Sequence, residues 1–189
     1  MTDKRFTKPF SYYLGNALII ISVSLFTFIL YPLLFAYLSP KPIKPVASLK
    51  GLSITIPKIS AQSPIIPDVD PWDESNYRPA LQKGVAHAKG TALPGDGKMI
   101  YLFAHSSGYP WEITRLNTAF LRLNELQKND KVILTRDGKE YTYVIFEKKE
   151  VWPTEVGAVT KAKGDIVILQ TCTPIGTTLK RLLVYAKRT

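Results

Sequence analysis

Few side chains in this sequence can do covalent chemistry: its 189 residues include 1 cysteine and 2 histidines. Cys172 follows the apolar run Ile166-Val167-Ile168-Leu169 and opens the segment Thr173-Pro174-Ile175-Gly176-Thr177. A strand end holds a side chain in a fixed direction, and a turn after it leaves that side chain reachable. His105 has the same setting, ending the run Met99–Ala104 ahead of Ser106-Ser107-Gly108. Arg181 opens the next apolar run after the loop that Cys172 begins. A thiol, an imidazole and a guanidinium at three strand ends can converge on one rim if the strands are neighbours, and a thiolate there is a nucleophile. The bland readings stand beside this one. A lone cysteine is commonly a small buried hydrophobe, a lone histidine is usually structural, and an arginine starting a strand is usually a solvated edge. One cysteine excludes an internal disulfide, and with two histidines it cannot supply a four-ligand zinc site.

The elements that must position these residues read as all-β. Leu52-Ser53-Ile54-Thr55-Ile56-Pro57 alternates with period two, and Met99–Ala104 is a continuous apolar strand. Val132–Arg136 and Glu140–Phe146 flank Asp137-Gly138, which predicts a hairpin with a type I′ turn. Asp165–Thr171 and Arg181–Ala186 add two late strands. The one helical pattern runs from Asn117 to Leu126, with Phe120, Leu123 and Leu126 three apart. Seven or so strands with one or two short helices predict a closed β-barrel rather than a parallel sheet.

Ahead of this domain lies a different kind of sequence. No charged side chain occurs between Lys8 and Lys41, and Leu14 to Leu38 holds 19 apolar residues in 25 positions. A helix of that length reaches about 37 Å, enough to cross a ~30 Å hydrocarbon core. Tyr12, Tyr13, Tyr31 and Tyr37 sit at its two ends, as interfacial aromatic residues do. A cleaved signal peptide would have a shorter apolar core and a small-residue cleavage pattern, which Phe35-Ala36-Tyr37-Leu38 does not offer. The segment is therefore read as a retained transmembrane helix. The organisation expected is a tail over residues 1–13, the span over 14–38, a Pro-rich tether over 39–50 and the barrel over 51–189. Lysines flank the span on both sides, so the positive-inside bias is nearly balanced. An unpaired cysteine in an exported domain is a liability unless it works, which shifts the balance toward a functional Cys172.

The motifs around that cysteine resemble the sortase family. Leu169-Gln170-Thr171-Cys172-Thr173-Pro174-Ile175-Gly176-Thr177, followed by Arg181-Leu182-Leu183-Val184, is similar to the Thr-Cys, Pro-x-Gly-Thr and Arg-Leu signature of sortases. Gly84-Val85-Ala86-His87, Gly90–Gly95 and the strand ending in His105 match earlier landmarks of that family, so the resemblance spans roughly residues 51–187. It implies an eight-stranded barrel in a membrane-anchored cysteine transpeptidase. Cys172 would be the nucleophile, His105 the general acid/base and Arg181 the oxyanion and substrate clamp, with Thr171 and Thr173 as substrate contacts. The implied partners are a surface protein with an LPxTG-like sorting signal, an amine acceptor on the cell envelope or a pilin, and membrane lipid. No cofactor is implied, and calcium dependence, sorting motif and subclass are left unspecified. The N-terminus would be cytoplasmic and the catalytic domain extracellular. Ala104-His105-Ser106-Ser107 departs from the Gly-His pair followed by Arg or Asn of many sortases.

The chemistry sets its own requirement. Ordinary values near 8.5 for a thiol and 6.5 for an imidazole leave only about 1% of such a pair as thiolate and imidazolium. A permanently charged Arg181 can favour the thiolate or hold a developing oxyanion. His87 is the alternative acid/base. Asp70-Pro71-Trp72 resembles the lid motif of pilus-building sortases but follows the first strand, where a lid would precede it. It is read as a surface loop or wall contact. Two other classes compete. The net charge of +10 suits nucleic acid, but the lysine clusters are short and lack interleaved aromatics, so no nucleic acid is expected. A catalytically inactive binding module on the same fold would lack a reactive thiol, which small alkylating agents can test.

Overall fold

The computed structural model describes residues 9–38, 51–106, 119–155 and 157–189. Helix α1 (Phe10–Leu38) runs the length of the apolar segment. It is long and apolar enough to cross a membrane, and it buries none of that surface against the rest of the chain. Residues 39–50, expected to form the tether, lie outside the described residues.

The domain that follows is built from β1 (Ser53–Ile56), β2 (Ala61–Val69), α2 (Glu74–Lys83), β3 (Val85–Ala88) and β4 (Ile100–Phe103). It continues with β5 (Lys131–Arg136), β6 (Lys139–Val151), the single turn α3 (Gly157–Thr160), β7 (Ile166–Thr173) and β8 (Lys180–Arg188). The eight strands close in the order β1-β2-β3-β4-β7-β8-β6-β5, so the closed eight-stranded barrel expected from the sequence is the fold observed. The β5–β6 hairpin turns at Asp137 and Gly138, both with positive φ (53° and 80°), as a type I′ turn requires.

Three local features depart from the sequence reading, each for a physical reason. Strand β2 contains Pro64 and Pro67 and gave no strand signal, because proline removes a ladder donor. The chain tolerates Pro67 by shifting register between Ile66 and Val69, with Asp68 at φ 56°. Helix α2 has only Ala80 and Leu81 buried and carries Pro79 inside it, so its apolar period is faint. It starts cleanly all the same, because the Asp73 carboxylate accepts from Ser75 N at 3.0 Å and from Ser75 Oγ at 2.7 Å. The helix expected over Asn117–Leu126 is, within the described residues 119–126, a turn and a 3-10 segment at Leu123–Glu125. Phe120, Leu123 and Leu126 are fully buried in the barrel core, and a strict spacing of three is the period of a 3-10 turn rather than of an α-helix.

Two pairings position the chemistry. β4 and β7 run parallel and adjacent, from Ile100↔Val167 to Phe103↔Gln170. Their C-terminal ends therefore lie together, although 62 residues separate Phe103 from Ile166 in number order. β8 runs antiparallel to β7, with Arg181 directly opposite Cys172. Inward on these strands point Leu102, Val167, Leu169, Leu182, Val184 and Ala186, all within the buried core. The intervening residues face outward by the two-residue alternation of a strand.

Candidate active site

The outward alternation places Cys172 on the same face as Gln170 and Ile168 on β7, and Arg181 on the same face as Leu183 and Tyr185 on β8. His105 follows β4 by two residues, in phase with Tyr101 and Phe103. His105, Cys172 and Arg181 line one cavity of about 460 Å³. This cavity lies on the outer wall of the barrel at the ends of β4, β7 and β8. The three residues that the sequence singled out are thus brought together, each half-buried.

The wall of the cavity carries a hydrogen-bonded pair, Tyr101 and Gln170. Tyr101 Oη donates to Gln170 Oε1 at 2.5 Å. Burial pushes the Tyr101 phenol well above its ordinary value, against the opposing pull of the Arg181 guanidinium. It therefore stays neutral and serves as a donor. The only signal for this pair in the sequence is that Gln170 directly follows the apolar run Ile166–Leu169, two positions before Cys172 and so on its face of the strand.

Arg181 is fixed by its own backbone surroundings. Its Nη1 donates to Thr178 O at 2.9 Å and to Lys180 O at 3.3 Å. Next to it, Lys180 Nζ sits 5.4 Å from the centre of the Trp152 ring and 3.7 Å from Glu150 Oε2. Trp152 N donates to Glu155 Oε2 at 2.6 Å. These contacts hold the exposed Trp152 indole on the lip of the cavity, a position the sequence reading did not single out. On another part of the rim, Pro71 and the exposed Trp72 line the same cavity. Their turn follows β2 and is fixed by Trp72 N donating to Asp70 Oδ1 and Asp70 N donating to Asn76 Oδ1, both at 2.9 Å.

The two threonines differ. Thr171 is buried, and its Oγ1 donates to Ala104 O at 3.0 Å, while Ala104 N donates to Gln170 O at 3.1 Å. Together these bonds extend the β4–β7 pairing by one residue and hold the backbone immediately before His105. Thr173 is half-buried and lines a second cavity of about 410 Å³ that shares Cys172 and Thr171 with the first. Thr171→Val keeps the shape but removes the donor, and it is expected to cost about 1–2 kcal/mol in urea unfolding. Turnover should fall with it, since the residue before His105 loses its tie.

His87 is placed otherwise. It is 4% exposed on β3, and Nε2 lies 2.9 Å from Ala92 O and 3.0 Å from Thr91 Oγ1. Its Nδ1 accepts from Asp68 N at 3.4 Å. The imidazole therefore ties the irregular end of β2 to the β3–β4 connection, and it does not line the cavity that Cys172 lines. Among the described residues no group of three His, Cys, Asp or Glu side chains is placed to hold a metal ion.

The closed eight-stranded barrel of this chain matches known proteins. Residues 54–189 match the family of sortase domains, and the chain belongs to the sortase family, whose members are cysteine transpeptidases. It is 32% identical over 149 residues to sortase D of Bacillus subtilis, covering 77% of this chain and 67% of that protein. Among solved structures, the pilus-related sortase C of Group B Streptococcus superposes with a TM-score of 0.62 at 31% identity, covering 76% of this chain and 69% of that one. Sortase C-1 of Actinomyces oris superposes with a TM-score of 0.59 at 32% identity, covering 76% of each chain.

Proposed function

We propose that this protein is an active, membrane-anchored transpeptidase that cleaves a sorting-signal peptide bond through a thioester on Cys172. The observation that carries the reading is the single cavity lined by Cys172, His105 and Arg181. The Cys172 thiolate attacks the scissile carbonyl carbon, and the Arg181 guanidinium opposite it stabilises the oxyanion that forms. His105, as imidazolium, gives its proton to the departing amine as the C–N bond breaks, leaving a thioester. An incoming amine then attacks the thioester carbonyl and passes its proton to His105, and the C–S bond breaks to release the new peptide. With water in place of the amine, the same steps hydrolyse the substrate.

The substrate would be a surface protein with an LPxTG-like signal, and the acceptor an amine on the cell envelope or on a pilin. α1 anchors the chain in the cell membrane with residues 1–13 in the cytoplasm and the barrel outside. Thr173 and the two exposed tryptophans, Trp72 and Trp152, are the substrate contacts this reading adds around the catalytic trio, with Thr171 acting through its tie to Ala104.

The test is a screen of the full chain in detergent against a library of sorting-signal peptides, with di- or triglycine as acceptor. Ligated product, together with a hydroxylamine-sensitive acyl adduct on Cys172, is the expected result. His105→Ala should leave Cys172 open to alkylation but impair amide cleavage. His87→Ala should lower stability while ligation persists in the folded fraction. A folded protein whose Cys172 resists alkylation and that forms neither adduct nor product with any peptide would make it an inactive binding module instead.

A further inference from the structure

A third cavity, of about 510 Å³, lies on the outer wall of the barrel away from Cys172. Its floor is made by a break in β6. Ile145 pairs with Ala186 and Glu147 with Tyr185, so Phe146 is an extra residue in the ladder. Such a bulge re-aims a side chain, and here it turns the Phe146 ring outward, 6.2 Å from the ring of Tyr185. Lys149, Lys161 and Lys163 surround this apolar floor, with Glu147 as the one acid lining the cavity. Glu147 is paired with Lys149 at 2.9 Å. Among the described residues neither Lys161 nor Lys163 forms an ion pair, and both are exposed.

An open cationic rim beside the exposed Phe146 ring, which rests on the buried Tyr185, suits an amphiphile that carries phosphate: the ammonium groups take the anion and Phe146 takes the adjoining hydrocarbon. The chain supplies a reason for such a surface to be near. α1 ends at Leu38 and the barrel domain starts at about Gly51, and thirteen residue steps span at most about 45 Å. On the reading that α1 is a membrane anchor, the barrel stays within that distance of a bilayer. We propose that the face formed by Phe146, Lys149, Lys161 and Lys163 docks on the phosphate headgroups of anionic lipid. Of the docked face, Lys161 and Lys163 lie in the same β6–β7 connection that carries Trp152, Pro153 and Glu155 into the wall of the active-site cavity.

The experiment uses the full chain in lipid nanodiscs of phosphatidylcholine alone or with phosphatidylglycerol, read by hydrogen–deuterium exchange. Each lysine near an anionic surface gains about five-fold, so Lys161 and Lys163 together favour the docked state on the order of 25-fold. Amides of 145–151 and 157–166 should exchange several-fold more slowly in the anionic discs only. The slowing should vanish in high salt and in Lys161→Glu/Lys163→Glu, whose melting temperature and thioester formation serve as the controls for folding. Equal exchange in both disc types would overturn the proposal. Slowing in neutral discs with soluble glycerol phosphate, to the same extent, would also overturn it by moving the ligand off the bilayer. Alkaline carbonate washing of the discs tests the anchor separately. A chain that washes off, yet before washing shows slowing only in anionic discs, refutes the anchor and supports the docking face.

Discussion

Cys172→Ala is expected to abolish the covalent acyl-enzyme and with it all transfer and hydrolysis, while the barrel remains folded. The thiol is half-buried on the outward face, so removing its sulfur opens no void in the core. The other outward residues on the last turn of β7 and the start of β8 are Gln170 and Arg181, and neither is a nucleophile. Mass spectrometry of the intact chain after incubation with a reactive sorting-signal peptide checks this directly. An acyl adduct on the variant would place the nucleophile elsewhere. Circular dichroism and the unfolding midpoint, unchanged from the parent, separate this loss from misfolding.

Arg181→Lys is expected to retain the fold and lose most of the rate, by ~10²–10³ in turnover, as removal of an oxyanion donor typically does. Lysine keeps the positive charge, so the loss would report geometry rather than charge alone. The guanidinium is anchored through Nη1 to Thr178 O and Lys180 O, which aims its planar fork. An ammonium on a flexible stem has no equivalent of that aim. The measurement is kcat and KM for peptide cleavage, with alkylation of Cys172 as a check that the thiol remains accessible. Near-parental turnover in a folded Arg181→Lys protein would return Arg181 to the role of a strand edge.

What the sequence made legible was the set of elements with strong local signals. The Asp137-Gly138 hairpin, the apolar strands that became β4, β7 and β8, and the long apolar helix all announce themselves by composition and period. Cys172, His105 and Arg181 were legible for the same reason, since each sits at the end of such a run. β2 and α2 were not, because Pro64, Pro67 and Pro79 contradict the elements that contain them; pairing of β2 with β1 and β3, and packing of α2 on β2 and β3, override that local preference. The walls of the site were hidden for a different reason. Trp72 and Trp152 reach the cavity from turns after β2 and β6, and no sequence period reports which turns meet across a barrel. The expected meeting of three strand ends at a rim anticipated the grouping but not the face. Inward and outward can be told apart only once the core is known.

The alternation along β7 and β8 also separates two kinds of heritable change. Leu169, Leu182 and Val184 point into the barrel, while Gln170, Cys172, Arg181 and Leu183 point away from it. A mutation at the inward parity is felt as a change in folding free energy. At the outward parity Ile168, Leu183 and Tyr185 form a second buried cluster, so only the half-buried positions beside Cys172 change the cavity without touching a core. Sites with few shared neighbours contribute additively. Gln170 does not meet that condition, because it accepts from Tyr101 in the cavity wall, and a change there alters the wall as well as the cavity. The wall between barrel core and cavity therefore has a hydrophobic core on each of its faces, and the cavity shares its support with the outer one.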